Sequence, residues 1–318
     1  MAALPFTIRR TRVALGALRK TRNCLHWAGG RPKNAGKMRN QTTVCPFCRG
    51  LNSAEERRCY RCGRALPGPL ASGVIGFFTD SMGGEAPVTR VLLGLNLLVF
   101  ALCIISDHRM PLFQDEFRMS TTLRFGALFG ALGSMQPWRY LSAVFVHFNA
   151  AHVAMNCLAL SRVGATAERE FGKARYVFLF VVSGVLGFVA STQWYGGMSP
   201  PTAGASGAVF GLFGSVIGVL LARRDPSWKP TLVNNLVWLA IIAFMPGLSA
   251  NNAAHVGGLA CGALFGFLFS KEPRKLRLDL PFGLIAGLLL ALSLASVVLS
   301  ALSPVWRVVR EQENSRDI

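Results

Sequence analysis

Long runs without a charged side chain divide most of the chain beyond residue 139. They extend over Tyr140–Ser161, Tyr176–Ala222, Pro230–Ser270 and Leu280–Trp306. A membrane-spanning helix needs about 20 apolar residues, so the first and last runs each predict one helix. The two middle runs are long enough for two, and each is interrupted by turn-forming residues: QWYGGMSPPTAG at 193–204 and MPGLSANN at 245–252. One more apolar stretch precedes them. The pattern predicts seven helices, over 88–106, 138–161, 176–195, 203–222, 231–246, 252–270 and 281–303.

Composition agrees with this reading. Of 318 residues, 52% are hydrophobic and 15% charged, against about a quarter charged in soluble domains. The predicted fold class is an all-α polytopic membrane protein in contact with the lipid bilayer. Charge then sets orientation. Residues 1–90 hold sixteen Lys or Arg against four acids, and cytoplasmic flanks are enriched in Lys and Arg. With that end inside, Arg162, Arg169, Lys173 and Arg175 also fall inside, as do Arg223, Arg224, Lys229, Lys271, Arg274, Lys275 and Arg277. Loops 196–202 and 247–251 carry no charge and fall outside. Seven spans then put the N-terminus in the cytoplasm and the C-terminus outside, consistent with a bacterial inner membrane. The net charge of +19 is accounted for by this topology, so no nucleic-acid partner is expected.

The N-terminal part carries a different signal. Cys45 and Cys48, then Cys59 and Cys62, form two C-x-x-C pairs ten residues apart. Each pair turns two thiolates toward one metal, and four close a tetrahedral zinc site. The expected organisation is a basic tail or mis-assigned start over 1–44, a zinc ribbon over 45–66 and a linker over 67–87. The six-helix core follows over 88–270, then a linker and seventh helix over 271–303 and a tail over 304–318. The zinc is expected to be structural, with no other cofactor implied by the sequence, and the ribbon to offer a surface to a cytoplasmic protein partner.

Polar residues within the predicted spans are the candidates for chemistry. His147 and His152 lie in the outer half of the second predicted helix, with Asn156 four residues after His152 on one face. Ser206 opens the fourth helix in the sequence Gly204-Ala-Ser206-Gly207, and His255 lies in the first turn of the sixth. These helices all run from outside to inside, so their polar groups share one depth. A serine hydroxyl becomes nucleophilic when an imidazole takes its proton. His255 is the candidate base, with no carboxylate placed as a third member. His152, Asn156 and the Ser206 backbone N–H are candidate donors to an oxyanion. Gly258, Gly262 and Gly266 below His255, and Gly207, Gly211, Gly214 and Gly218 beside Ser206, permit close helix approach. Taken singly, Ser206 reads as a helix cap and His255 as a buried structural histidine; the shared depth argues for a site.

The set resembles the rhomboid intramembrane serine proteases. It comprises Trp138-Arg139, His147…His152-x-x-x-Asn156, Glu168 with Gly172 and Arg175, Gly204-Ala-Ser206-Gly207 and Ala254-His255-x-x-Gly258. The resemblance covers 88–270. It implies Ser206 as nucleophile, His255 as base, and His152 with Asn156 at the oxyanion hole. It also implies that 107–137 form a half-embedded loop, and that Phe210 packs against His255. His147, Gly204, Gly207, Trp138 and Arg139 would support the site, and the extra last helix resembles a six-plus-one arrangement. Substrates would be transmembrane proteins cut near the outer face. The alternative is a catalytically silent relative that binds clients. Glu168 and Arg175 are expected to pair with one another.

Overall fold

A computed structural model describes residues 42–45, 51–53, 56–64, 66, 86–113, 115–130, 132–196, 199–243, 251–272 and 279–316. The chain divides into two compact units, Met1–Leu66 and Pro67–Ile318. In the first, strands β1 (Thr42–Val44) and β2 (Leu51–Ser53) pair antiparallel, with Thr43 opposite Asn52. The Asn52 side chain accepts the Tyr60 N–H at 3.1 Å, tying the hairpin to the turn that carries Cys59 and Cys62. Gly63 closes that turn at φ +70°, donating to the Cys59 carbonyl at 2.8 Å.

The second unit is helical. Its elements are α1 (Pro87–Asp107), α2 (Met119–Phe125), α3 (Leu132–Met135), α4 (Arg139–Ser142), α5 (Ala150–Tyr195), α6 (Ser206–Ala222), α7 (Trp228–Ala243), α8 (Asn252–Lys271), α9 (Asp279–Leu302) and α10 (Val305–Arg316). Helices α1, α5, α8 and most of α9 (Pro281–Leu302) are long and apolar enough to cross a membrane. At about 1.5 Å per residue, the 46 residues of α5 suffice for two crossings. They break at Gly172, whose φ of +75° and ψ of 164° leave the helical region. Only glycine takes such a backbone without strain. Helix α6 is shorter, at 17 residues.

Backbone-to-backbone packing joins α6 to α8. A Cβ added to Gly258 would lie 2.1 Å from the Gly207 carbonyl oxygen, one on Gly262 1.8 Å from that of Gly211, and one on Gly266 2.2 Å from that of Ser215. The fit is reciprocal, since a Cβ on Gly214 would lie 2.1 Å from the Leu259 oxygen. Helix α9 joins the core through Phe282, which meets Phe178 and Phe269 edge-on at centroid distances of 5.6 and 5.2 Å.

Three sequence expectations need correction. The segment expected to open the second span, 138–149, is not continuous with it: α4 and a 3₁₀ turn (Ala143–Phe145) lead into extended chain, and the long helix starts at Ala150. His147 therefore lies ahead of the helix. Asn149 caps it, accepting the His152 N–H at 2.8 Å. The charged stretch 162–175 is helical up to the Gly172 break rather than a loop. Glu168 and Arg175 do not pair. The buried Glu168 carboxylate accepts the Val88 and Thr89 N–H groups at 3.0 and 2.8 Å and the Thr89 hydroxyl at 2.8 Å. It thus satisfies amides at the start of α1, which the helix itself leaves open. Arg175 instead pairs with Glu272 at 3.1 Å. Beyond α9 the chain continues as helix α10.

Candidate active site

Ser206 is the first residue of α6, and His255 lies one turn into α8. The serine hydroxyl stands 2.7 Å from His255 Nε2, so it donates to that nitrogen whenever the nitrogen is unprotonated. His255 Nδ1 is buried with no hydrogen-bond partner. Among the described residues, no carboxylate therefore orients the ring from behind. Its plane is set by Phe210, one turn beyond Ser206, which stacks on it at 4.7 Å and 30°.

Each half of the pair is anchored by backbone. Ser206 follows an extended segment held on two sides. Leu128 and Thr202 exchange N–H···O bonds of 2.9 and 2.7 Å, and the Gly204 N–H donates to the Ala143 carbonyl at 2.8 Å. His255 follows Asn251, whose side-chain oxygen caps α8 by accepting the Ala254 N–H at 3.0 Å. The Asn251 amide donates to the Ser191 and Thr202 hydroxyls at 2.6 and 3.0 Å. One asparagine thus links the helix of His255 to the segment preceding Ser206. Sequence reasoning missed Asn251, Ser191, Thr202 and Ala143; the Asn-Asn pair opening α8 was the one available signal, as a helix cap.

His152 and Asn156 converge on the same place. An ideal Cβ on Gly204 would lie 2.7 Å from His152 Nε2 and 3.9 Å from Asn156 Nδ2. Two side-chain donors therefore flank the chain two residues before Ser206. The Asn156 amide also donates to the His152 carbonyl at 2.9 Å. Gly204 has φ +120°, so glycine is required there both by the backbone and by the imidazole. Gly207 has the Ala254 oxygen 3.5 Å from its Cβ position.

His147 sits behind this group. Its Nδ1 lies 3.2 Å from the Phe145 carbonyl and its Nε2 is 3.5 Å from the Ala205 N–H. With Nδ1 protonated and Nε2 accepting, it ties the turn before Ser206 to the extended segment before α5. Its ring also meets His152 edge-on at 5.0 Å. Arg139 lies elsewhere. Fully buried, it donates to the Leu123 and Ala127 carbonyls at 2.8 and 3.0 Å and to the Gln136 side chain at 2.7 Å. It holds the 115–130 segment, whose Leu128 in turn pairs with Thr202. Trp138 precedes α4, and its indole Nε1 is buried with no hydrogen-bond partner among the described residues.

Ser206, His255, His152 and Asn156 all line one cavity of about 590 Å³. It runs between the first half of α5, where Met155 and Ala159 line it, and α7, where Asn234 and Trp238 do. In the first unit, the sulfur atoms of Cys45, Cys59 and Cys62 all lie within 4.8 Å of one another, and Cys45 and Cys62 are 3.7 Å apart. Zn–S bonds of about 2.3 Å in a tetrahedron put sulfurs about 3.8 Å apart, so these three cysteines fit such an ion. Cys48 lies outside the described residues.

Fold and site together define a polytopic helical membrane protein with a serine–histidine pair at the head of two glycine-packed helices, open to a cavity between two others. The rhomboid domain family matches residues 134–272. Rhomboid protease GlpG of Klebsiella pneumoniae is 30% identical over 209 residues, covering 63% of this chain and 69% of the relative. Rhomboid protease AarA of Providencia stuartii is 29% identical over 219 residues, covering 61% and 76%. Rhomboid protease GluP of Bacillus subtilis is 32% identical over 184 residues, covering 56% of this chain but 34% of its own length. The chain spans about a third of that last relative. It belongs to the rhomboid family.

Proposed function

We propose that this protein is an intramembrane serine endopeptidase that cleaves transmembrane helices through a Ser206–His255 dyad. The observation that carries the reading is the 2.7 Å contact between the serine hydroxyl and His255 Nε2, inside a cavity bounded by membrane helices. In the first step His255 takes the hydroxyl proton as Ser206 attacks the scissile carbonyl, and the imidazolium then returns a proton to the leaving amine. Water, activated in the same way, hydrolyses the acyl-enzyme. His152, Asn156 and the Ser206 N–H are the donors assigned to the oxyanion. A substrate helix reaches the serine between α5 and α7, and cleavage lies near the outer face, as the charge distribution implies. The inner-membrane location and the outward C-terminus belong to the same proposal.

The zinc ribbon is proposed as a separate structural module. Cys45, Cys48, Cys59 and Cys62 would hold one ion, which would stabilise a unit too small to fold on its apolar core alone. Its surface would serve a cytoplasmic partner.

The decisive experiment compares purified wild type with Ser206→Ala and His255→Ala on a reconstituted transmembrane substrate. Wild type should cut and both variants should not, while all three stay folded. Cleavage by either variant would refute the dyad. A wild type that binds the substrate but never cuts it would favour a client-binding role.

A further inference from the structure

Helix α10 begins where the last apolar segment ends. The apolar part of α9 is Pro281–Leu302, and Trp306 follows four residues later, with its indole N–H donating to the Ala301 carbonyl at 2.9 Å. Tryptophan so close to the end of a span sits at headgroup level. Around that one indole stand three guanidinium groups. Arg124, from α2, lies 4.7 Å from its centroid, and Arg307 and Arg310, from α10, each lie 5.5 Å away.

Among the described residues none of the three takes part in an ion pair. The nearby Glu313 accepts from the hydroxyl and the N–H of Ser120 at 2.5 and 3.3 Å, so it reaches Arg310 through that shared hydroxyl and not as a direct ion pair. Two of the arginines are held in place by neutral groups. Arg310 donates to the Thr121 hydroxyl at 2.8 Å and to that of Ser120 at 3.3 Å, and Arg124 donates to the Ser106 hydroxyl at 3.0 Å. Arg124 Nε is buried with no hydrogen-bond partner. Three like charges on one ring repel, and the ring's quadrupole offsets only part of that. A phosphate would relieve the repulsion, and its oxygens match the guanidinium fork.

We propose that Arg124, Arg307 and Arg310 form a binding site, roofed by Trp306, for the phosphate group of an anionic membrane lipid. The ligand would reinforce the junction of α10 with α2, which already meet through Arg310 and Glu313 on Ser120 and Thr121 and through Arg124 on Trp306. The site does not include Ser206 or His255, and it stands whether or not the dyad is catalytic.

The test reads binding, not cleavage. Full-length protein in nonionic detergent is titrated in separate arms with phosphatidylglycerol, phosphatidylcholine and inorganic phosphate, and bound species are counted by native mass spectrometry. Wild type should retain one phosphatidylglycerol at concentrations where phosphatidylcholine is lost. Arg307→Gln with Arg310→Gln should weaken this roughly tenfold or more, as expected for losing charged hydrogen bonds. Arg307 is exposed, so Arg307→Gln alone disturbs the fold least and should show a smaller loss in the same direction. Retention of inorganic phosphate with the same arginine dependence would support the anion site and make its source a free phosphate. Equal retention of phosphatidylglycerol by wild type and both variants, or no anion bound by wild type in any arm, would overturn the proposal.

Discussion

Gly204 and His152 occupy adjoining space so closely that a single methyl group on the glycine would lie 2.7 Å from the ring nitrogen Nε2. The glycine also has φ +120°. Any other residue therefore strains the backbone and displaces the imidazole at once. The spacing of His152 from the serine is set by a hydrogen atom where other residues have a side chain.

Gly204→Ala should follow from this directly. Strain of about 1–3 kcal/mol is expected from the backbone, and displacement of the site by about 1 Å costs up to ~10²-fold in rate. The check is the rate at which a fluorophosphonate labels Ser206 in folded protein, together with substrate cleavage. Labelling at the wild-type rate would show that the close approach has no bearing on the serine.

Glycine packing between α6 and α8 gives a graded test. Gly262→Ala puts a methyl group within 1.8 Å of the Gly211 oxygen, whereas a Cβ on Gly94 in α1 meets nothing within 4 Å. Gly262→Ala should lower the thermal inactivation midpoint and slow labelling, because the two helices that carry Ser206 and His255 must part. Gly94→Ala should be neutral or stabilising by up to ~1 kcal/mol. Equal behaviour of the two variants would contradict the packing account.

Glu168 predicts a loss of stability without a loss of chemistry. Replacing it with alanine strands two backbone N–H groups at the start of α1, at about 1–3 kcal/mol each when buried. Inactivation temperature should fall clearly, while the phosphonate rate per folded molecule stays as in wild type. A slowed rate at unchanged stability would give Glu168 a role in positioning the site.

Zinc should be separable from cleavage. Cys45→Ser should release the metal from the N-terminal unit, measured by a chromogenic chelator, and leave cleavage of a minimal transmembrane substrate in detergent unchanged. Phosphonates should inhibit and chelators should not. Loss of cleavage on metal removal would mean the two units are functionally coupled.

The sequence by itself determined the helical membrane class, because an apolar run long enough to cross a bilayer has few other uses. It also singled out Ser206 and His255, since polar groups in such runs are costly and these two fall at the heads of parallel helices. The glycine repeats already implied close approach. What only the tertiary structure decided was everything that depends on pairing across distance. Residues 138–149 read as continuous apolar helix, yet their backbone turns to offer the Ala143 carbonyl to Gly204 and to bring His147 beside Ala205. Hydropathy reports burial and says nothing of the path. Glu168 and Arg175 share one charged stretch, and the sequence reading pairs them with one another. The Gly172 break lies between them, and each found a partner elsewhere, Glu168 at the start of α1 and Arg175 at Glu272 just past the end of α8. Asn251 reads as a helix cap, and its reach to Ser191 and Thr202 exists only once three segments meet. A hydrogen bond is decided by position to within half an ångström, and that precision comes from packing.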